Sequence, residues 1–215
     1  MTKLRFHVAI SVDGYVAGPD QSEENPLGVG GMRLHEWLFD LEAWHRQHGE
    51  EGGEVNASTP VVEEMQSNVG ATVMGRNMFG GGPGPWSEDP PWNGWWGDDP
   101  PYHTPVFVLT HHPREPLEME GGTTFIFVTD GIESALEQAR QAADGQDVLL
   151  GGGANVIQQY LAAGLVDGFE LHIVPVLLGD GERLLENVGN LNLNLEQVRA
   201  IEAPGVAHVK YRVVK

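Results

Sequence analysis

The sequence predicts an α/β fold, with a mostly parallel central sheet, helices on both of its faces and an antiparallel hairpin at the C-terminal end. Two patterns indicate this fold. Through about the first 165 residues, short apolar runs alternate with segments of helical periodicity, which is typical of parallel strands joined by crossover helices. Residues 169–177 and 207–213 instead alternate apolar and polar side chains, as half-buried antiparallel strands do. Because no internal repeat or linker interrupts the chain, we expect one domain over residues 1–215.

The N-terminal third contains a strand, a bend and two helices. The β-forming residues 4–11 end at Asp13-Gly14, and a second short run follows at 15–17. Residues 33–48 place large apolar side chains at helical spacing, which predicts one amphipathic helix. A further helix is predicted from about 60 to 68, because capping residues and a proline precede it. The apolar stripe of the first helix consists of Leu34, Trp37, Leu38, Leu41 and Trp44.

A long irregular segment follows the third strand, which is predicted at 71–74. Residues 80–105 are crowded with glycine, proline and four tryptophans, and we interpret them as an inserted loop. Its rings either stack on a planar substrate or close a lid over the cofactor, or else they pack the loop onto the body of the protein or onto a partner subunit. The packing interpretation is favoured, since large aromatic side chains are mostly structural. The four rings are Trp86, Trp92, Trp95 and Trp96.

Three consecutive glycines stand between a strand and a helix near residue 150. Strands are predicted at 106–109, 124–128 and 148–150, with helices at 132–143 and 154–163. Glycines 151–153 allow main-chain N–H groups to approach a ligand closely, and the start of the next helix suits a phosphate. A tight turn with no ligand is the alternative. The dinucleotide fingerprint G-x-G-x-x-G is incomplete, because Val156 stands where its third glycine would be.

Length and composition limit the classes of function. The formal net charge is -19, from 31 acidic and 12 basic residues, which would repel a nucleic-acid backbone or an anionic membrane. The lack of cysteine excludes disulfides, thiolate metal sites and a cysteine nucleophile. No apolar run reaches the length of a membrane span, and the N-terminal run reads as a strand rather than a signal peptide. We therefore expect a cytoplasmic protein that acts on a small molecule.

Four segments follow one another along the chain: 9–17 (AISVDGYVA), 73–76 (VMGR), 151–153 (GGG) and 170–181 (ELHIVPVLLGDG). In that order they resemble the dihydrofolate reductase-like family. Within it they are most similar to stand-alone relatives of the C-terminal reductase domain of the riboflavin-biosynthesis deaminase/reductase. The resemblance covers residues 3–213 and implies a three-layer α/β/α fold. It also implies NADPH-dependent reduction of an aminopyrimidine-ribose, a pterin-like compound or another small heterocyclic or imine substrate.

The same resemblance implies the cofactor-binding residues. Arg76, at the start of a helix, would hold a cofactor phosphate, unless it pairs with a surface carboxylate. Met78 stands where relatives often have threonine, which removes one phosphate hydrogen bond. Thr110 and the basic groups that follow it would surround the 2′-phosphate, so NADPH is expected over NADH, although loop histidines are often solvated. The implied cofactor residues are Ala9, Val16, Gly75, Arg76, Asn77, Thr110, His111, His112, Arg114, Gly151, Gly152, Gly153, Ala154, Asn155 and Val156.

Fewer residues are implied for substrate and catalysis, since the cofactor carries the hydride. An acidic residue on the first helix, Glu36 or Asp40, would anchor the substrate, and partial burial of Asp40 would raise its pKa toward a proton-donor role. A solvated helix face is the alternative. Trp37 and Asp13 would border the substrate, although Asp13 is also placed to cap its turn.

Metal sites, partners and rival functions complete the sequence-based expectations. No metal is expected, because the nine histidines include no His-Glu-x-x-His motif or comparable ligand spacing. A homodimer is expected from the apolar C-terminal hairpin and the habit of the family. Two other functions stay open: a nucleotide-binding protein that has the fold without reductase activity, and a true dihydrofolate reductase.

Overall fold

The structure is a computed structural model, and it describes residues 2–87, 89, 91–189 and 193–215. The chain forms two compact units. Unit 1 comprises residues 1–6 and 68–165, and unit 2 comprises residues 7–67 and 166–215. Residues 88 and 90 of the predicted inserted loop lie outside the described residues. The expectation of a single domain stays a prediction.

The regular elements follow one another along the chain as strands and short helices. The strands are β1 (Leu4–Ser11), β2 (Tyr15–Ala17), β3 (Val69–Gly75), β4 (Pro105–Leu109), β5 (Leu117–Glu118), β6 (Thr124–Val128), β7 (Asp147–Gly152), β8 (Gly168–Val174), β9 (Glu182–Arg183), β10 (Asn194–Ala203) and β11 (Val206–Val214). The α-helices are α1 (Glu36–Phe39), α2 (Glu42–Gln47), α3 (Thr59–Met65), α4 (Arg76–Phe79), α5 (Ile132–Ala142) and α6 (Ala154–Ala162). Two 3₁₀ turns lie at Gly31–Leu34 and Glu120–Gly122.

Unit 1 contains the parallel part of the fold. Its strand order is β1-β7-β3-β4-β6-β5, and every pairing is parallel except that of the two-residue β5 with β6. Strand β3 is buried along almost its whole length, as expected for a strand covered on both faces. The predicted strands and the two predicted crossover helices are confirmed here, with helix ends within one residue of those expected.

Unit 2 contains the antiparallel part of the fold. Strand β11 pairs with both β8 and β10 in antiparallel fashion, which confirms the predicted C-terminal pair. The sequence analysis missed β10, whose residues are largely exposed, so that no buried face gives it a clear apolar alternation. Strand β10 lies at the edge of the sheet and is bulged at Val198.

The single helix predicted over 33–48 is wrong. The structure has instead a 3₁₀ turn followed by α1 and α2, and the break comes at Leu41, whose ψ of 137° is extended. The cause is a long-range pairing. The N–H of Glu42 donates to the carbonyl of Glu54, and the N–H of Glu54 donates to that of Asp40, at 2.9 and 2.7 Å. These bonds replace helical ones, while Leu34 and Leu41 remain buried as the periodicity indicated.

Two histidines are buried at opposed positions of β8 and β11 in unit 2. His172 faces His208 across the strand pair, and their Nδ1 atoms are 2.8 Å apart. The Nε2 atom of His208 lies 2.9 Å from the hydroxyl of Ser58, and the ring of Trp37 packs against both imidazoles. One ring must donate and the other accept in this Nδ1 contact, so a neutral pair fits it.

Burial lowers the pKa of both histidines, to about 4 for His208 and about 2 for His172, because a charged imidazole there would lose its water. The positive charge of Arg199 lowers both further. His7 and His35 act on His172 in the same direction. Between the ordinary pKa of 6.5 and the lowered value, the unfolded chain therefore binds a proton that the folded chain does not.

We expect stability to fall as the pH drops below about 6.5, with His208 contributing roughly 2 kcal/mol of that loss by pH 4.5. The His208→Gln variant keeps a polar, uncharged side chain and should lose correspondingly less stability between pH 7.5 and 4.5. Urea unfolding at the two pH values measures the difference. His48→Gln, which changes an exposed histidine, is the control and should behave as wild type. Equal losses in wild type and His208→Gln would contradict the prediction.

Candidate functional site

Two of the predicted cofactor segments meet in unit 1 at the carboxyl ends of adjacent parallel strands. Gly75 ends β3, and the glycine turn ends β7, its neighbour in the sheet. A Cβ atom on Gly75 would lie 2.6 Å from Cγ2 of Val156, which is closer than real side chains approach. Gly75 therefore allows helix α6 to sit directly against the end of β3.

The glycine turn is lined by Met78. Gly152 has a φ of 118°, in the region that glycine tolerates best, and a Cβ on Gly151 or Gly152 would lie 3.5–3.6 Å from the Met78 side chain. Gly153 faces open space, and no side chain caps the start of α6. Met78 thus packs under the turn where a hydroxyl was expected. The remaining predicted residues there are Ala154, which is buried, and Asn155, which is exposed.

Arg76 is held by neutral groups. Its guanidinium carbon lies 3.2 Å from the centroid of the Trp86 ring, and its nitrogens donate to the carbonyls of Gly80 and Gly81 and to the hydroxyl of Thr110, at 3.4, 3.1 and 3.4 Å. The alternative interpretation, a surface ion pair, is not seen within the described residues. Burial lowers the pKa of Arg76, and the nearby charge of Arg114 lowers it further.

The second group of predicted phosphate ligands surrounds the same ring. The hydroxyl of Thr110 is buried and accepts the N–H of His112 at 3.2 Å. The Arg114 guanidinium donates to the carbonyl of Trp92 and the side-chain oxygen of Asn93, at 2.5 and 3.1 Å, and its carbon lies 5.3 Å from the Trp86 centroid. The structure therefore brings these predicted ligands together, whereas His111 and Asn77 are simply exposed.

The tryptophans of the inserted loop pack onto the body of unit 1. Trp86, Trp92 and Trp96 lie against an apolar cluster that includes Phe79 and Phe125. The indole N–H groups of Trp92 and Trp95 donate to the carbonyls of Phe79 and Met78, the last two residues of α4. This is the favoured interpretation of the loop. The contact between Trp86 and Arg76 was missed, and only the local density of tryptophan hinted at it.

In unit 2, Asp13 ties the bend after β1 to the segment after β8. Its carboxylate accepts the N–H groups of Leu178 and Gly179, at 3.2 and 2.8 Å. A hydrogen bond from Ser11 and these backbone bonds hold the pKa of Asp13 down to about 2. Asp13 therefore caps the turn, and its role toward a substrate stays a prediction. The neighbouring Ala9 is buried and Val16 is half-buried.

The predicted substrate residues of the first helix lie on short surface segments of unit 2. Glu36 and Asp40 are both exposed, so the partial burial expected of a proton donor at Asp40 is absent. The physical reason is the interruption of the helix at Leu41, which leaves α1 only four residues long. Trp37 is half-buried, and its ring lies on the histidine pair that the sequence analysis missed.

Metal-binding groups and membrane-spanning helices are both absent from the described residues. No three His, Asp or Glu side chains in the described ranges lie close enough to form a metal-binding group. No helix among those residues is long and apolar enough to cross a membrane.

The chain is similar to several known proteins. A model of the family described as the RibD C-terminal domain matches residues 2–207. YyaP, an uncharacterized protein of Bacillus subtilis (strain 168), is 36% identical over 87 residues, which span 40% of this chain and 45% of that protein. The chain thus matches less than half the length of this curated relative.

Two solved structures have a similar fold. A candidate riboflavin biosynthesis protein from Shewanella sp. PV-4 matches with a TM-score of 0.64 and 19% identity, over 100% of each chain. Dihydrofolate reductase from Enterococcus faecalis, solved with NADP(H) and RAB-propyl, matches with a TM-score of 0.53 and 15% identity, over 99% of this chain and 97% of that one. The predicted dihydrofolate reductase-like fold is confirmed.

The contact between Gly75 and Val156 yields a test of the site's packing. Gly75→Ala should lower the free energy of unfolding by roughly 1–3 kcal/mol, because the added methyl group overlaps a stiff β-branched side chain. Val156→Ala removes that obstacle and leaves a small cavity when made alone. In urea unfolding, the double variant should therefore lose about 1 kcal/mol less unfolding free energy than the two single variants lose together. Additive effects would show that the two positions do not touch.

Proposed function

Because the chain belongs to the RibD C-terminal domain family, an oxidoreductase family, we propose that it is an NADPH-dependent reductase. Its substrate would be an aminopyrimidine-ribose, a pterin-like compound or another small heterocyclic or imine molecule. One observation carries the cofactor proposal. Arg76 and Arg114 converge on one ring beside the Thr110 hydroxyl, and neither forms an ion pair within the described part of the chain.

The surrounding charge makes this observation informative. In a chain with 31 acidic and 12 basic residues, most exposed cations find carboxylates, as Arg46 does with Glu63. Arg76 and Arg114 instead donate to carbonyl, amide and hydroxyl oxygens, and no carboxylate of the described residues compensates their positive charge. Two such guanidinium groups complement a phosphate dianion. The 2′-phosphate is the group that distinguishes NADPH from NADH.

The glycine turn supports the same cofactor. Gly151 to Gly153 present main chain with little steric obstruction, and α6 begins there without a capping side chain, so its positive end is available to the pyrophosphate. Ala154, Asn155 and Val156 form the first turn of that helix.

The chemistry itself would come from the cofactor, which supplies a hydride when bound. The chain would bind and orient the reactants and exclude water. We propose that Ala9 and Val16 border the nicotinamide and that Trp37 forms a substrate wall. We further propose that Glu36 or Asp40, both of which are exposed, anchors an amino group of the substrate. The proton-donor role of Asp40 has no burial to support it.

Cofactor binding and turnover test this function separately. Wild type should bind NADPH more tightly than NADH in calorimetric titration, and Arg76→Gln should weaken NADPH binding by about 10- to 100-fold while leaving NADH binding nearly unchanged. Arg140→Gln, which changes an exposed arginine of α5, is the matched control. Equal wild-type affinities for the two cofactors would refute the proposal.

Turnover is then measured as the loss of NADPH absorbance at about 340 nm. Consumption of NADPH with an aminopyrimidine-ribose substrate supports the reductase. Binding without consumption across pterin, folate and aminopyrimidine substrates would favour the nucleotide-binding alternative. Turnover of dihydrofolate with tight methotrexate binding would favour a true dihydrofolate reductase.

We also propose a homodimer formed through unit 2. Strand β10 presents a ten-residue edge whose side chains are largely exposed, and such an edge commonly pairs with another chain. Every exposed large hydrophobic residue found in the described chain also belongs to unit 2. They are Val12, Val29, Met32, Val55, Leu177, Leu185, Leu195, Val198 and Val214.

Light scattering coupled to size exclusion tests the dimer. Wild type should have twice the chain mass of 23.4 kDa, and Leu195→Glu on β10 should shift it toward the monomer by burying a charge at the interface. Gln141→Glu, which adds a charge at an exposed position of α5 in unit 1, should leave the mass unchanged. A monomeric wild type would refute the proposal.

A further inference from the structure

One indole ring of the inserted loop contacts three residues, Arg76, His112 and Arg114, that are expected to bind phosphate groups of the cofactor. The Arg76 guanidinium carbon lies 3.2 Å from the centroid of the Trp86 ring, and that of Arg114 lies 5.3 Å from it. The indole N–H donates to the carbonyl of His112 at 2.8 Å. Trp86 is therefore the common neighbour of Arg76 and of the segment that follows β4.

The ring is fixed in place by the core of unit 1. Phe79 and Phe127 pack edge-on against Trp86, with centroids 5.7 and 4.9 Å away, and Phe79 is fully buried. An aromatic ring held by two others and by a hydrogen bond has little freedom to swing. Trp86 thus forms a fixed floor under Arg76, which distinguishes it from a mobile lid over the cofactor.

The loop also supports both guanidinium groups from their edges. Gly80 and Gly81, at its start, accept hydrogen bonds from Arg76, while Trp92 and Asn93, farther along, accept them from Arg114. Two like charges placed this close repel each other, and an electron-rich aromatic face together with carbonyl oxygens offsets that repulsion. The arrangement preserves two positive charges at one place before any anion arrives.

We propose that Trp86 is a positioning residue that sets cofactor specificity, because it holds Arg76 and Arg114 together for one phosphate dianion. This assigns the inserted loop to the selection of NADPH over NADH. The inference rests on the proposed function and extends it from the residues that bind the phosphate to the residue that positions them. Trp86 acts through the two arginines and contributes no hydrogen bond of its own to the phosphate.

The decisive variant is Trp86→Leu, which keeps an apolar side chain but removes the aromatic face and the indole N–H. NADPH affinity should fall by about 10-fold or more, while NADH affinity changes by less than about 3-fold, both measured by calorimetry. Trp86→Phe keeps a ring for Arg76 and should retain most of the preference for NADPH. Titration with 2′,5′-ADP and 5′-AMP provides a second readout, since only the former carries the 2′-phosphate.

A control in the same loop separates specificity from folding. Trp96 stacks on Phe125 at 5.9 Å and lies edge-on to Tyr102, so Trp96→Leu damages the packing of the loop without removing the floor under Arg76. Its effects on NADPH and NADH should be equal. If Trp86→Leu does not fold, the retained preference of Trp86→Phe and a matching loss in Arg114→Gln decide the question.

The outcomes distinguish the inference from the proposed function. A wild type without preference for NADPH overturns both. A wild type with that preference, but a Trp86→Leu variant that loses both cofactors equally or keeps the preference unchanged, overturns the role of Trp86 alone. A loss confined to NADPH and 2′,5′-ADP supports it.

Discussion

The close approach of Val156 to Gly75 is the constraint on which the candidate site depends. In a dinucleotide fingerprint a third glycine lets the helix pack against its own strand. Here Val156 occupies that position, and the missing side chain is instead that of Gly75, on the neighbouring strand. Because β3 and β7 are adjacent and parallel, their carboxyl ends place Arg76 and the glycine turn side by side. Gly75 on the neighbouring strand thus provides the space that the third glycine of the fingerprint would otherwise provide.

Charge is distributed unevenly among the cations of this acidic chain. In unit 2, Arg199 bridges Glu64 and Glu170, so its charge is neutralised within the fold. In unit 1, Arg76 and Arg114 rest on an indole ring and on neutral oxygens, and no carboxylate of the described residues pairs with either. A net charge of -19 would repel an anionic cofactor at a distance, so a local site of this kind is what such a cofactor requires.

The inserted loop links packing with recognition. Its tryptophans cover the apolar cluster around Phe79, which supports the structural interpretation of aromatic residues. Trp86 takes part in this packing, through Phe79 and Phe127, and also lies against the guanidinium of Arg76. A residue fixed by the core can hold a charged ligand group in place at little entropic cost, because its own rotamer is already determined.

The sequence by itself determined the parallel and antiparallel parts of the fold and the segments proposed to bind the cofactor. These follow from signals within a few residues: apolar runs, strand alternation, the glycine turn and Gly75-Arg76. Tertiary structure alone decided the break at Leu41, the edge strand β10, the opposed histidines and the stacking of Arg76 on Trp86. Each depends on a partner from another segment or lacks a buried face that would mark it locally. The local periodicity of a segment indicates which of its side chains are buried. Only the tertiary structure shows which residues, remote in the sequence, those side chains contact.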